Sequence, residues 1–366
     1  MSQILTFLGK GGTGRSTVAV AVARAAAQRG KRVLLVGHQG GGPSLEGLMG
    51  VSLSTDPVAV AANLNALQLR STALLEQNWT QVKELEAQYL RTPFFKEIYG
   101  QELAVLPGMD QVLALDVLRR FDAEGQYDCI VFDGSGDLML LRMLGVPEVA
   151  GWYGRRGSKA FLDSDLAKSL RPFAEPVLRA TSNVEVPSLD ELPNQLGGMQ
   201  GFLEEGRQAL ANPSRVQAHL VTTADPVAVK TARWLWGSAQ MIGLSVGSVL
   251  VTPMAEGTVN DSDFAPLPLQ RLPQRQEDWA VLEEAVSNVF SGPSVPPPLS
   301  IDAQARVVKL FIPGFNKSQI ELSQSGPEIT ITAGDQRRNL FLPDALAGRQ
   351  VSGAKFQDQY LIISFA

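Results

Sequence analysis

Cysteine is nearly absent: Cys129 is the one thiol in 366 residues. No disulfide can close within the chain, and without a CxxC pair there is no zinc site of the paired-cysteine kind. Cys129 itself lies inside the apolar run "YDCIVFD" and reads as a small core residue. Histidine is also scarce; His38 and His219 are too few and too far apart in sequence to suggest a metal pair. No apolar stretch reaches the length of a membrane span, and "MSQILTFLG" has neither the basic region nor the apolar length of a signal peptide. The expected compartment is therefore the cytosol. Charge of one sign is missing as well: 32 basic and 37 acidic side chains give a formal net charge of −5 with no long run of either sign. Nucleic acid, which needs a basic footprint, is not an expected partner.

What remains is an ordinary globular composition, 45% hydrophobic and 19% charged, in a chain long enough for two domains. Six apolar runs ending in turn residues recur through the first two thirds: "ILTFLG", "KRVLLVG", "ELAVLPG", "YDCIVFDGS", "AHLVTTAD" and "VGSVLVTPM". Helical patterns such as "STVAVAVARAAAQRG" and "PVAVKTARWLWGSAQMIG" lie between them. Continuous apolar strands alternating with helices predict an α/β domain, a mostly parallel sheet covered on both faces, over residues 1–290. Two helical inserts are expected, at about 57–100 (Leu64, Leu67, Leu74, Leu75, Trp79, Val82, Leu85, Tyr89, Phe94) and at 151–210. "SGPSVPPPLS", residues 291–300, forbids helix and reads as an extended linker. Beyond it, residues 301–366 show short alternating segments with turns between them, the pattern of a small antiparallel β-sandwich.

"GKGGTGRST", residues 9–17, follows the first strand and opens a helix. Backbone N–H groups in such a loop and at a helix start cradle an anion, and glycines let the anion approach. Gly9, Gly11 and Gly14 also satisfy GxGxxG, but a dinucleotide site needs an acidic residue near the end of the second strand, and "VLLVGHQGGG" offers none. A phosphate loop is the favoured reading; a turn without a ligand is the other that stands.

"KGGTGRST" resembles the deviant Walker A motif KGGxGK[ST] of the arsenite-pump ATPases and the tail-anchored-protein-targeting ATPases. "LPGMDQVLALDVLRRF", "YDCIVFDGSGDLMLLRMLGVP" (with Asp133, Leu141, Arg142 and Pro147 in place) and "PLQRLPQRQEDWAVLEEA" are similar to further segments of that family. The resemblance implies a P-loop ATPase that binds ATP and Mg²⁺. Gly11, Gly12, Thr13, Gly14, Arg15, Ser16 and Thr17 would hold the phosphates; Ser16 and Asp133 would face the metal. Lys10 would reach the nucleotide of a partner subunit, which implies a homodimer. Lys10, Arg15 and Asp133 are the implied catalytic residues, and Thr252 stands where an adenine-binding asparagine is usual. Each has an alternative in its own chemistry: Asp133 as a cap, Ser16 as a helix-start hydroxyl, Lys10 as a solvated lysine.

Three departures bear on activity. The family's first switch carries an aspartate in DPAHS that positions water; here "GHQGGGPSL" has Gln39 and no carboxylate. The run after Asp133 is Gly134, Ser135, Gly136, Asp137, Leu138 and Met139, with Asp137 a candidate replacement for the missing carboxylate. Arg15 replaces lysine; its guanidinium supplies the same charge with a different shape. Slow hydrolysis is expected. Arsenite, which needs several thiolates, is an unsuitable substrate for a chain with one cysteine, so a polypeptide client is the expected partner. The C-terminal segments "VVKLFIPGFNKSQIELSQSGPEITITA", "RNLFLPDAL" and "AKFQDQYLIISF" resemble the α-crystallin domain of small heat-shock proteins, with Gln359 where glycine is usual. A non-catalytic nucleotide-binding or chaperone-like protein is the alternative function, and a scaffold with a relic loop the third.

Overall fold

The computed structural model describes residues 1–38, 44–89, 99–162, 192–290 and 295–366. Gln39, Phe94, residues 291–294 of the linker and part of the 151–210 insert lie outside the described residues.

Eight strands form one sheet: β1 (Gln3–Leu8), β2 (Val33–Gly37), β3 (Val58–Ala61), β4 (Leu64–Gln68), β5 (Cys129–Asp133), β6 (Val216–Thr222), β7 (Ser245–Val251) and β8 (Leu269–Arg271). Their order is β3-β4-β2-β5-β1-β6-β7-β8, and every pairing is parallel except β3 with β4. β2, β5, β6 and β7 are buried at every position, as apolar runs without alternation require when helices cover both faces. The mostly parallel sheet with helices is the P-loop type of α/β architecture. Of the six apolar runs, five are strands. "ELAVLPG" is not: a short 3₁₀ turn at Gly100–Glu102 leads into irregular backbone, and Leu106 is exposed. A short apolar run bounded by Pro-Gly carries no periodicity that separates a strand from a connection.

The first helical insert also starts later than expected. Residues 57–68 form the β3–β4 hairpin, turning at Asn63 (φ 59°), so Leu64 and Leu67 are strand residues paired to β2. The β-branched and alanine-rich "VAVAANLNAL" fits either period, and the left-handed turn that asparagine tolerates decides for the hairpin. Helices in chain order are α1 (Arg15–Gln28), α2 (Ser44–Met49), α3 (Ser71–Tyr89), α4 (Met109–Glu124), α5 (Leu138–Leu144), α6 (Val146–Leu162), α7 (Leu192–Ala211), α8 (Pro226–Met241), α9 (Ala280–Ala285) and α10 (Asp344–Ala347).

The chain divides into two compact units. One comprises residues 69–117 and 145–208, which is α3, most of α4, α6 and most of α7. Within it the 3₁₀ turn is tied to α3 by Gln101, whose Nε2 donates to Glu76 Oε1 at 2.7 Å. The other comprises residues 1–68, 118–144 and 209–366: the parallel sheet, α1, α5, α8 and the C-terminal strands.

Those last strands form two antiparallel sheets, β14-β15-β10-β9 and β11-β12-β13. Their ranges are β9 (Leu299–Asp302), β10 (Val307–Phe311), β11 (Ile320–Ser325), β12 (Glu328–Ala333), β13 (Gln336–Phe341), β14 (Val351–Gln357) and β15 (Tyr360–Phe365). Val308, Leu310, Ile329, Ile331, Leu361 and Ile363 alternate inward and form one core, which also takes in Met241 from α8. The segment Ile312-Pro313-Gly314-Phe315 presses on α8 at Gly237. A Cβ there would lie inside the Pro313 carbonyl and 2.8 Å from the Phe315 ring, so the approach admits only glycine. Trp236, fully buried, meets Phe311 edge to face at 5.4 Å. Arg338 Nη1 donates to Gln240 O at 3.1 Å.

Candidate functional site

β1 delivers the chain at its C-terminal end to the loop 9–14, between β5 and β6, and α1 leaves from the loop. In an open α/β sheet this is the end at which ligands bind. α1 is rich in alanine and valine, and Val18 to Ala23 are all buried, so its position is set by packing against the sheet. Its N-cap is Gly14 in the left-handed region (φ 84°), with no side-chain cap and no acidic residue in the first turn. A helix start left in that state keeps its N–H groups and the positive end of its dipole for an external anion.

The loop before it is held from behind. Arg15 Nη1 donates to Gly9 O at 2.9 Å; Thr13 Oγ1 donates to Lys10 O at 2.9 Å; Thr252 Oγ1 donates to Thr13 O at 2.9 Å. In a trans peptide the carbonyl and the following N–H point to opposite sides. Tying down those three carbonyls therefore turns the N–H groups of Lys10, Gly11 and Gly14 the other way. At Gly11 and Gly12 even an added Cβ would meet nothing within 4 Å, so the space before the loop is open. Lys10, Gly11 and Gly12 are exposed. Successive N–H groups facing one open space make an anion nest.

Arg15 does not extend into that space. Its guanidinium runs inward to the segment after β5, where Nη1 also donates to Ser135 O and the side chain lies against Gly136. Gly9 N–H donates to Gly136 O at 2.9 Å, so loop and segment are joined twice. Burial lowers the Arg15 pKa, while the charges of Asp133 and Asp137 oppose the shift. The group stays cationic.

Asp133 ends β5 with 1% of its surface exposed, and its carbonyl accepts from His38 N–H at 2.9 Å. His38 stacks on Phe132 at 6.1 Å. Asp137, the candidate substitute carboxylate, is exposed and engaged locally: its Oδ1 accepts from Ser135 Oγ at 2.6 Å and from Met139 N–H at 2.9 Å, at the start of α5. Ser16 and Thr17 lie half-buried in the first turn of α1.

Beside the loop opens a cavity of about 460 Å³ lined by Gly14, Thr17 and Val18, by Thr252 to Met254 after β7, and by Leu272 to Arg275 and Leu282. The far wall is pinned to α1. Glu283, buried, accepts from Arg24 Nε and Gln28 Nε2, and Arg24 lies 5.7 Å from the Trp279 ring. Arg275 reaches the same ring at 5.2 Å. The structure thus brings together Gly14, Arg15, Ser16, Thr17 and Thr252 in one compact unit with Asp133, and leaves Lys10 exposed. Gly136, Met254 and Trp279 are neighbours of the site to which the motifs gave no role of their own. Gly136 carried a local signal, the second glycine of the short run Gly134-Ser135-Gly136, and its backbone takes the positive φ (66°) that glycine permits. Among the described residues no cluster of three metal-ligating side chains occurs, and no helix is long and apolar enough to cross a membrane.

Residues 2–292 match the Anion-transporting ATPase family, and residues 303–365 match the HSP20-like domain found in ArsA. The chain is similar to "Putative arsenical pump-driving ATPase" of Chlorobaculum tepidum, 25% identical over 99% of this chain and 96% of that one. It is similar as well to "Putative arsenical pump-driving ATPase 1" of Aquifex aeolicus, 22% identical over 99% of both chains. Protein Rv2184c of Mycobacterium tuberculosis is 30% identical over 69% of this chain and 59% of its own length. With the phosphate loop, the parallel sheet and a family match across more than three quarters of its length, the chain belongs to the Anion-transporting ATPase family.

Proposed function

We propose that the chain binds ATP with Mg²⁺ at the phosphate loop and hydrolyses it slowly, working as a homodimer coupled to a polypeptide client. The observation that carries the binding is the loop whose carbonyls at Gly9, Lys10 and Thr13 are all tied back. A nest already organised costs no rearrangement when phosphate arrives. The donor chemistry fits the metal: a buried carboxylate at the end of β5 and the Ser16 hydroxyl in the first turn of α1 are oxygen ligands of the kind Mg²⁺ takes. Bound there, Mg²⁺ supplies positive charge against the phosphate oxygens. Gly11 to Thr17 hold the phosphates, Asp133 and Ser16 hold the metal side, and the cavity beyond Gly14 takes the base between Pro253, Met254 and Leu272. In this reading the P-loop domain spans residues 1–290, the linker 291–300 and the sandwich 301–366.

Slow turnover follows from the water side. Asp137 Oδ1 is engaged by Ser135 Oγ and Met139 N–H, which holds that carboxylate as a cap at the start of α5 and argues against it as the group that positions a nucleophile. A positioned acid–base group contributes roughly 10²–10⁴-fold in rate. The exposed Lys10 is suited to a partner's nucleotide, and the exposed apolar side chains Leu106, Val112, Val149 and Tyr153 of the helical unit suit a client. The commitment of Asp137 equally favours a second reading, a nucleotide-binding protein that uses ATP as a ligand without turnover.

Titration calorimetry with ATP·Mg²⁺ and ADP, beside phosphate release with Asp133→Asn as the blank, tests both. Binding with slow, Asp133-dependent release is the expected result. Binding with no release above the blank selects the second reading, and no binding of either nucleotide overturns both. Sedimentation at several protein concentrations reads the dimer; an unchanging monomer with a triphosphate analogue present removes the trans role of Lys10.

A further inference from the structure

Thr252 stands at the mouth of β7, on the wall of the cavity proposed for the base, yet its hydroxyl is spent elsewhere. A hydroxyl has one proton to give. Oγ1 lies 2.9 Å from Thr13 O and 3.3 Å from Thr222 O, and Thr222 O already accepts from the Thr252 N–H at 2.8 Å. The nearer Thr13 O takes the proton. The side chain is 7% exposed, and its methyl faces Gly14: a Cβ built there would sit 3.4 Å from Cγ2. Little of Thr252 is left for a base to touch.

We infer that Thr252 is a positioning residue for the phosphates and not a reader of the base, an inference that rests on the nucleotide-binding reading above. Its hydroxyl holds the Thr13 carbonyl toward β7, and the planar peptide then aims the Gly14 N–H at the nest. Arg15 and Thr13 do the same for the peptides at Gly9 and Lys10, but they lie in the loop and in the first turn of the helix that follows it. Of the three side chains that tie back loop carbonyls, Thr252 is the one contributed from a distant part of the chain, 239 residues along from Thr13. It references the nest to the rigid sheet through β7, whose seven residues are all buried.

The two roles separate by ligand. Tripolyphosphate has no base, adenosine has no phosphate, and the ATP to GTP ratio reads the base alone. In competition against a fluorescent ATP analogue, Thr252→Val keeps the shape and removes the hydroxyl. It should weaken tripolyphosphate, ATP and GTP alike by about 3- to 10-fold, the range set by the net worth of one hydrogen bond. Adenosine affinity and the ATP to GTP ratio should stay within about twofold, the scatter of context effects on one contact. Thr252→Ser, which keeps the hydroxyl, should restore tripolyphosphate binding. Thr252→Ala serves as a second hydroxyl-free chain if the valine disturbs folding. A changed ATP to GTP ratio with tripolyphosphate unmoved overturns the inference and makes Thr252 a base reader; affinities all unmoved overturn it too. An unmodified chain that binds neither ATP nor tripolyphosphate refutes the proposed function itself, a result distinct from either.

Discussion

Gly136→Ala is the substitution that interrogates the joint between the phosphate loop and the segment after β5. Gly136 has φ 66°, in the left-handed region where alanine costs roughly 1–2 kcal/mol. Its Cβ would also fall 2.5 Å from Arg15 Cζ and 2.7 Å from Cδ, so the guanidinium must leave. The carbonyls of Gly9 and Ser135 then lose their side-chain donor; of the two only Gly9 is buried, and one buried acceptor left unsatisfied costs about 1–3 kcal/mol. Together the loss is about 2–5 kcal/mol, against the 5–15 kcal/mol that stabilises a typical domain. Chemical denaturation of Gly136→Ala, Arg15→Ala and the double substitution completes a cycle. With Arg15 already removed there is nothing to expel, so Gly136→Ala should then cost only the conformational 1–2 kcal/mol, a coupling of about 1–3 kcal/mol. Equal costs in both backgrounds would refute the joint, because they would mean the alanine never met the guanidinium.

Three further expectations concern other parts of the molecule. Gly237→Ala places a methyl against the Pro313 carbonyl and the Phe315 ring; it should expose the linker and Met241 to limited proteolysis and cost about 3–5 kcal/mol, the scale of losing a buried phenyl contact. His219 is wholly buried, its Nδ1 2.8 Å from Ser248 Oγ, and burial pushes its pKa down to about 3 from an ordinary 6.5. Since the unfolded chain takes up the proton first, stability should hold above about pH 6.5 and fall toward pH 3 by about 1.4 kcal/mol per pH unit. Urea midpoints of His219→Gln plotted against pH should show a shallower slope than the unmodified chain in that window and the same slope above it. Burial pushes the Cys129 thiol up to about 12, so a thiol reagent should label it only at the rate of unfolding; labelling of the native protein within minutes would contradict its burial in β5.

Much of this architecture was written in local pattern. The strand, glycine loop and helix at residues 3–28 announced themselves by composition, and so did the alternating strands of the C-terminal sandwich, because their periods of burial repeat within a few residues. Where two periods fit the same letters, as at residues 57–68, local pattern failed and the hairpin appeared where helix was expected. The candidate site divides along the same line. The glycine loop and its open, helix-start geometry were legible in the sequence, whereas the inward turn of Arg15 toward Ser135 and the bond from Thr252 to Thr13 depend on backbone brought together across 120 and 239 positions. No spacing rule reaches that far. Asp137 illustrates the cost of reading charge without geometry: a carboxylate two residues before a helix's second N–H is as good a cap as it is a base.

The docking of the sandwich on α8 also sets an order on synthesis. α8 ends at Met241, but the strand that completes the sheet above it, β15, lies at residues 360–365 and pairs between β10 and β14. At 5–20 residues per second the ribosome needs roughly 6–25 s to travel from one to the other. Throughout that interval Trp236 lacks Phe311 or its settled partners, and Met241 lacks the core it belongs to. The nascent chain therefore waits, with an apolar helix face uncovered, for its own C-terminal strands to arrive, and chaperone dependence should be greatest in that window.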